Sequence, residues 1–327
     1  MEAAIDRLTR EVGVPDLNDA YEEIYRINTS GGDKARLYLE RAFSFLICFS
    51  LPLHLGTLAM GISIEADGSM DEYVDERYCR GICSNFVVLD SDGYLRFAHL
   101  SVREFVEDKL HCFLSQANEQ VATATVAYML YRFSGFKTYR NPLDFATYSF
   151  MKWPEHCERA NTRRMSGTLR KLFLDMTLDK NGAFSKWTEL IPVHFQEQYP
   201  FNDIKQLIFR LSSSRSDPPN PNFVAASFGF YEFFTELLWT GSLDLEERNH
   251  KGNTPLHVAA EEGQYEVVRL ILISRPNVSV ELRNDFNWTL LCTAAKYGRA
   301  NVMRLLLDRG ADPVGSIGQI PLHGAAA

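Results

Sequence analysis

The residue types in this chain that could bind a metal ion lie around two cysteines, Cys79 and Cys83. Zinc is held by cysteine and histidine side chains, commonly in two closely spaced pairs. His99, His111 and Cys112 follow, but the sequence offers no second paired cluster. A spacing of four residues places Cys79 and Cys83 on one face of a helix. We therefore expect both thiols to be buried as apolar side chains, and we predict no metal site.

The motifs that would support hydrolysis of an ester or a nucleotide are missing from the sequence. A serine hydrolase needs its nucleophile in a G-x-S-x-G turn between a strand and a helix. The nearest match, Gly61 to Glu65, has no closing glycine. The phosphate-binding pattern G-x-x-x-x-G-K-[ST] does not occur anywhere in the chain. We predict that the chain is not an enzyme, has no catalytic residues and binds no cofactor.

Composition and charge are those of a globular protein with an excess of acidic groups. The 327 residues are 46% hydrophobic, and 34 basic against 42 acidic side chains give a net charge of −8. Residues 1–110 carry 11 basic and 20 acidic groups, whereas residues 111–219 carry 14 and 10. Because nucleic acid and anionic lipid repel an acidic surface, we expect neither as a partner. Six scattered cysteines and a charged N-terminus without an apolar run indicate a reducing, cytoplasmic location.

One basic cluster stands out between the two ends of the chain. We interpret it as a solvated face around a helix start, and the alternative is a docking site for an acidic surface such as residues 1–110. Its members are Arg159, Arg163, Arg164, Arg170 and Lys171.

The apolar segment from Phe43 to Ile64 is long enough to span a bilayer, since its 22 residues include no Asp, Glu, Lys or Arg. Pro52 interrupts it, and its flank is acidic rather than basic. We expect one buried helix to end near Pro52 and a second to start there. A membrane segment is the alternative interpretation, but no membrane partner is predicted.

The sequence repeats itself after a segment rich in Ser, Pro and Asn at residues 212–222, which we interpret as a linker. Comparable seven-residue blocks end at Gly229, Gly263 and Gly298, 34 and 35 residues apart. Each block predicts a short helix with paired alanines, followed by a second, apolar helix. No unit can bury its apolar face alone, so the units are predicted to stack.

Residues 252–260, Gly-Asn-Thr-Pro-Leu-His-Val-Ala-Ala, resemble the signature of ankyrin repeats. Residues 305–313 resemble the end of such a repeat. The resemblance implies about three ankyrin units and a truncated fourth over residues 223–327. It also implies that Thr254 and His257 tie the turn to the helix start. Because the fourth unit stops inside its first helix, we expect the chain to be a fragment or a truncated gene product.

The residues before the linker have mostly helical patterns, with apolar stripes at helical spacing that include Leu169 and Leu207. The exception is residues 85–99, where two short apolar runs around an Asp-Ser-Asp-Gly turn predict a hairpin. A capping box at Ser101 is expected to start the next helix. Three helices followed by a hairpin are the order of a winged-helix domain, which we predict over residues 35–110.

This region also resembles the part of fungal NACHT-type proteins that directly follows their nucleotide-binding core. In that family the region is labelled a winged-helix domain similar to one beside GPI inositol-deacylase. The resemblance implies a NACHT NTPase domain in the same full-length chain, signal transduction, a helical segment at 1–34 and a helical connector at 111–211. It covers most of residues 8–158 and rests on short motifs at 21–25, 51–53, 97–105 and 148–156.

Together these patterns predict a mainly α protein, with a winged-helix and helical domain followed by an ankyrin-repeat α-solenoid. Partners of ankyrin arrays lie across the projecting turn before each repeat's first helix, here called the finger turn, and across the first helices. We therefore predict a protein–protein interaction and regulatory module. The alternative is the C-terminal part of a NACHT-type NTPase, whose hydrolysis would need sequence not present here. The predicted partner-binding residues are Arg248, Asn249, His250, Lys251, Glu261, Glu262, Asp285, Phe286, Trp288, Lys296 and Tyr297.

Trp288 has two interpretations. It stands where the preceding unit has Asn253, and an exposed tryptophan beside Phe286 and Tyr297 is typical of an interface hot spot. The alternative is that Trp288 covers the longer loop of its 35-residue unit.

Overall fold

Helices dominate both halves of the chain, which confirms the prediction of a mainly α protein. The chain divides into two units, residues 1–173 and residues 174–327. The computed structural model describes residues 17–49, 53–70, 73–109, 114–132, 144–179, 182–191, 202–240 and 244–314.

The first unit combines helices with one small sheet. Its strands are β1 Leu53–His54, β2 Val87–Leu89 and β3 Tyr94–Phe97, and a 3₁₀ turn spans Asn161–Met165. Its helices are α1 Leu17–Asn28, α2 Asp33–Cys48, α3 Leu55–Ser63, α4 Glu76–Ile82, α5 Leu100–Lys109, α6 Leu114–Tyr131, α7 Phe145–Arg159 and α8 Gly167–Thr177, the last of which continues into the second unit.

The predicted hairpin is confirmed, with β2 antiparallel to β3 and Val87 opposite Phe97. Gly93 takes φ of +84° in the turn, a conformation that glycine adopts without steric cost. Strand β1 pairs with the other edge of β3, so that the order is β1-β3-β2. Two residues are too few to give an alternating pattern, which is why the sequence did not predict β1.

Helix α5 begins one residue before the predicted capping box. His99 replaces Ser101 as the capping side chain, because its Nδ1 accepts the backbone N–H of Ser101 at 3.2 Å. The Ser101 hydroxyl is instead 2.8 Å from the hydroxyl of Tyr21. The predicted role of Ser101 is therefore wrong, since a tertiary contact with α1 occupies its hydroxyl.

The described residues of the apolar segment from Phe43 to Ile64 include the end of helix α2, strand β1 and helix α3, and the two buried helices confirm the predicted pair. Helix α2 ends at Cys48 and α3 begins at Leu55, and Leu58 in α3 is fully buried. In the ranges that the structure describes, no helix is both long and apolar enough to cross a membrane.

Cys79 and Cys83 are both fully buried, as predicted. The neighbouring thiol of Cys79 and burial together raise the pKa of Cys83 well above its ordinary value. His99 is exposed just before the start of α5, while His111 and Cys112 lie outside the described residues.

The predicted solvated basic face is wrong for part of the basic cluster. Arg164 is only 2% exposed and donates to the carbonyl oxygen of Cys157. Arg163 pairs with Glu119 on α6 at 3.1 Å. These guanidinium groups serve the packing of the first unit, because each finds its acceptor within it.

A buried polar network joins α6 to α7. The ring of His156 contacts the hydroxyl of Tyr148 through Nε2 and the Oδ1 of Asn118 through Nδ1, the latter at 2.7 Å. Burial lowers the pKa of His156 to about 3, so the ring is neutral near pH 7.

The second unit consists of stacked helix pairs after a leading pair of helices. The helices are α9 Ala183–Leu190, α10 Asn202–Ser213, α11 Pro221–Phe228, α12 Tyr231–Thr240, α13 Pro255–Glu262, α14 Tyr265–Ser274, α15 Leu290–Lys296 and α16 Ala300–Asp308. The inner helices α11, α13 and α15 pack on one another in sequence, and the outer helices α12, α14 and α16 do the same.

The segment 212–222 is packed rather than extended. Its first two residues end α10, and its last two begin α11, which packs against α10. Ser213 and Ser214 are fully buried, and the Ser213 carbonyl accepts the side-chain amide of Asn249. Small hydroxyl side chains allow this close approach, so a composition typical of linkers here forms a turn between packed helices.

Thr254 and His257 have the structural role that the ankyrin resemblance implies. The Thr254 hydroxyl accepts the backbone N–H of His257 and donates to its Nδ1 at 2.8 Å. The His257 Nε2 then donates to the carbonyl oxygen of Trp288 in the next turn at 3.2 Å. Burial lowers the pKa of His257 to about 4.

Candidate functional site

Six of the eleven predicted partner-binding residues line one cavity of about 280 Å³ in the second unit. The other five, which are Arg248, Asn249, His250, Glu262 and Asp285, do not line it. The lining residues are Lys251, Glu261, Phe286, Trp288, Lys296 and Tyr297 from the predicted set, together with Phe209, Asn253, Asn284 and Thr293.

Two equivalent asparagines, Asn249 and Asn284, build the finger turns that carry the cavity walls. Asn249 Oδ1 accepts the backbone N–H of Lys251 and Asn253, and Asn284 Oδ1 accepts that of Phe286 and Trp288. The two side chains are 4% and 6% exposed. Asn249, predicted to contact a partner, is therefore already committed to its own turn.

The same asparagines link successive fingers. Asn284 donates its side-chain amide to Asn253 Oδ1 at 2.7 Å, and Asn249 donates its amide to the Ser213 carbonyl at 2.9 Å. Sequence reasoning missed this ladder. Its signal was the placement of both asparagines five residues before the threonines Thr254 and Thr289.

The finger rim is held by Arg248. Its guanidinium donates to the carbonyl oxygens of Gly252 and Arg283 at 2.9 and 2.8 Å, and it lies 3.1 Å from the Asp285 carboxylate. His250 donates to the Arg215 carbonyl, and its pKa is lowered by burial. These contacts order the fingers and leave the cavity to other side chains.

Aromatic rings form the walls of the cavity. The ring centroids of Phe286 and Trp288 are 5.8 Å apart, and those of Phe209 and Tyr297 are 6.0 Å apart. Phe286 is 63% exposed, whereas the Trp288 ring is half-buried and its Nε1 is buried without a hydrogen-bond partner in the described residues. Phe209 was missed because α10 was interpreted as part of a helical connector.

Two lysine ammonium groups rest on these rings. Lys251 Nζ lies 4.0 Å from the Phe209 centroid and donates to the Ser213 hydroxyl at 3.0 Å. Lys296 Nζ lies 3.9 Å from the Trp288 centroid. Across the ranges described, neither ammonium has a carboxylate within 4.0 Å. Burial lowers the pKa of Lys251, although the carboxylates of Glu261 and Glu262 oppose that effect.

Two acidic residues end α13, and one of them, Glu261, lines the cavity. Glu261 is 3% exposed, and burial raises the pKa of its carboxyl. Glu262 lies outside the cavity lining, 3.7 Å from the Arg210 guanidinium and 3.9 Å from that of Arg299. Burial and the Glu261 carboxylate together raise the pKa of Tyr297.

Comparison with known proteins identifies ankyrin repeats in the second unit. The family description "Ankyrin repeats (3 copies)" matches residues 197–284, and "Ankyrin repeat" matches residues 286–315. The match begins before the predicted start at residue 223, since it includes α10. The predicted fourth unit lies almost entirely beyond residue 315 and outside the described residues.

One similar protein is the "Ankyrin repeat and KH domain-containing protein mask-1" of Caenorhabditis elegans. It is 36% identical over 97 residues, which are 29% of this chain and 4% of that protein. The chain thus spans only a small part of that relative. The presence of ankyrin repeats is confirmed, and such repeats indicate a protein-interaction module.

Proposed function

We propose that this chain is a protein-interaction and regulatory module whose ankyrin face binds a partner protein. The ankyrin face is the surface formed by the finger turns and the inner helices α11, α13 and α15. One observation carries the proposal: six residues predicted to contact a partner line a single cavity, and one of them is the exposed Phe286. Protein interfaces commonly centre on aromatic anchors surrounded by polar groups. The ladder of Asn249 and Asn284 keeps the fingers in place, so that the cavity exists before a partner arrives. We assign no catalytic step to this chain.

A comparison of two single substitutions tests the proposal. Phe286→Ala removes an exposed ring at the cavity, and Tyr265→Ala removes a ring that is 37% exposed on the outer helix α14. Proximity labelling in cells, with the full chain as bait, is expected to recover partners with the wild type and Tyr265→Ala that are lost with Phe286→Ala. If all three baits recover the same proteins, the ankyrin face is not the binding surface.

We further infer that the chain works beside a NACHT NTPase domain in the same full-length protein. Support comes from the resemblance of residues 8–158 and from the element order over residues 33–97, which is helix, strand, two helices and two strands. The winged-helix region at 35–110 would relay the occupancy of the ankyrin face to that NTPase. Reading the transcript upstream tests this inference, because a phosphate-binding loop is expected there.

We also infer a cytoplasmic location, without nucleic acid or membrane as partner. The inference is supported by the scattered cysteines and the net charge of −8. A fluorescently tagged chain is expected to fill the cytoplasm, and enrichment at a membrane or in the nucleus would contradict the inference.

A further inference from the structure

We propose that the cavity on the ankyrin face receives an acidic side chain of the partner, flanked by apolar residues, with its carboxylate bound between Lys251 and Lys296. The inference rests on the proposed function and specifies the chemistry of the partner. It commits to an acidic peptide segment rather than a basic one.

The two ammonium groups have N–H donors that the described residues leave unused. An ammonium has three N–H donors, and a ring face holds the charge in place without accepting all of them. Lys251 donates to the Ser213 hydroxyl, and the described residues offer Lys296 no hydrogen-bond acceptor. A carboxylate accepts hydrogen bonds from such donors that are about twice as strong as those between neutral groups.

The charges around the cavity favour an acidic ligand. Two lysines and Glu261 are the charged residues that line it. Glu261 is 3% exposed, whereas Lys296 is exposed. Glu262 faces the guanidinium groups of two arginines outside the cavity. A ligand that approaches from solvent therefore meets ammonium groups before it meets a carboxylate.

The size and the walls of the cavity suit a short peptide segment. A volume of about 280 Å³ is small for a drug-sized ligand but fits the side chains of a short peptide segment. The rings of Phe286 and Trp288 offer apolar surface to the residues that flank the acid. Burying those flanks would also remove water from the ion pair, which strengthens it.

Selection from a random heptapeptide library displayed on phage tests the proposal with the full chain as target. The variants are Lys251→Met with Lys296→Met, and Phe286→Ala. The matched control is Arg269→Met with Arg304→Met, which removes two positive charges from the outer helices α14 and α16. Lys296→Met alone is the safeguard against misfolding, because its ammonium is exposed and makes no hydrogen bond among the described residues. Urea unfolding checks that each variant is folded.

The wild type and the arginine control are expected to enrich Asp or Glu between apolar residues. The double lysine variant should bind the selected peptides at least about tenfold more weakly, since a hydrogen bond between charged groups is lost. The single Lys296→Met variant should show a smaller loss, and salt should weaken wild-type binding.

Different failures separate the two proposals. Enriched peptides without an acid, or with a basic residue, that still require Phe286 would overturn the acidic specificity and keep the ankyrin face as the binding surface. Acidic peptides that bind equally to the wild type and to the double lysine variant would also overturn the acidic specificity. Peptides that bind equally to the wild type, to the double lysine variant and to Phe286→Ala, or a selection without any enriched peptide, would overturn both.

Discussion

His156 in the first unit and His257 in the second are both buried and neutral, yet they are held in different ways. His156 bridges the side chains of Tyr148 and Asn118, and Asn118 lies 38 residues away on another helix. His257 contacts a threonine three residues away and a main-chain carbonyl in the next turn. The two contacts of His156 require a tyrosine at position 148 and an asparagine at position 118. The contact of His257 with the Trp288 carbonyl does not depend on residue type, because every residue has a main-chain carbonyl.

The third repeat shows what this difference permits. Cys292 stands where His257 stands in the preceding repeat, and the Thr289 hydroxyl still accepts its backbone N–H at 3.2 Å. The helix start is therefore kept without the imidazole. In the repeats, the threonine at the helix start keeps its contact with the backbone when histidine is replaced by cysteine. In the first unit, the contacts of His156 require the particular side chains of Tyr148 and Asn118.

The largest expected effect breaks the network of the first unit. His156→Ala removes both hydrogen bonds and leaves a cavity between α6 and α7, so we expect a loss of about 4 kcal/mol in the stability of that unit. Hydrogen exchange of the α7 amides measures it, with the α13 amides of the second unit as the internal control. Unchanged protection in α7 would show that the network is not needed there.

A second prediction concerns acid and the repeats. The pKa of His257 is about 4 in the folded protein and about 6.5 when the ring is solvated, so the unfolded chain takes up the proton first. The stability that this residue contributes is complete above pH 6.5 and is lost as the pH falls to 4, by roughly 3 kcal/mol. Hydrogen exchange of the α13 amides across this range measures the loss.

His257→Cys, which copies the third repeat, is the control for the acid prediction. It should flatten the fall in α13 protection between pH 6.5 and pH 4, because no imidazole remains at that position to take up a proton. An equally steep fall in the variant would assign the acid sensitivity to another group.

The equivalence of the finger asparagines can be sharpened by paired substitutions. Asn249→Ala and Asn284→Ala each leave two backbone N–H groups without their side-chain acceptor, so we expect each to cost about 2 kcal/mol. Urea unfolding followed by the exchange of the α13 and α15 amides measures both. Effects that differ severalfold would contradict the equivalence.

The smallest effects are expected at two glycines with positive φ. Gly252→Ala and Gly298→Ala both place a Cβ in the left-handed region, at a cost of about 1 kcal/mol. At Gly252 the new Cβ would also clash with the Cβ and the carboxylate of Asp285, whereas at Gly298 it would meet nothing within 4 Å. Gly252→Ala should therefore cost more, and Asp285→Gly, which removes the whole side chain, should remove the excess. Equal costs in the parent would show that Asp285 moves freely.

The repeats were the part of the fold that the sequence predicted best. Internal copies at Gly229, Gly263 and Gly298 act as repeated observations of one unit, and each of these glycines takes positive φ at the end of an inner helix. The hairpin at 87–97 was also predictable, since its turn and its alternation are local. The packed turn at 212–222 was not, because its serines are buried only where α10 and α11 meet.

The candidate site was predicted in part, for the same reason. Trp288 was found because it differs from Asn253 at the equivalent position of the preceding repeat. Phe286 and Tyr297 were found because they lie on the finger turn and the first helix of the same repeat. Phe209 was missed because its place at the cavity depends on which helix lies next to the finger turns. The commitment of Asn249 to its own turn was missed although its contacts with Lys251 and Asn253 are local. The winged-helix and NACHT assignments stay predictions, since they rest on short motifs.

The sequence by itself determined the helix pairs, their period, the threonine caps and the residue types available on the ankyrin face. These properties depend on neighbours within a few positions, where chain geometry fixes the contacts. Only the tertiary structure decided that the ammonium groups of Lys251 and Lys296 share one cavity, that the Glu261 side chain in its lining is buried and that Arg248 is used within the fingers. Burial and pairing of charges depend on distances between residues that are far apart in the chain, and stacking of the repeats sets those distances.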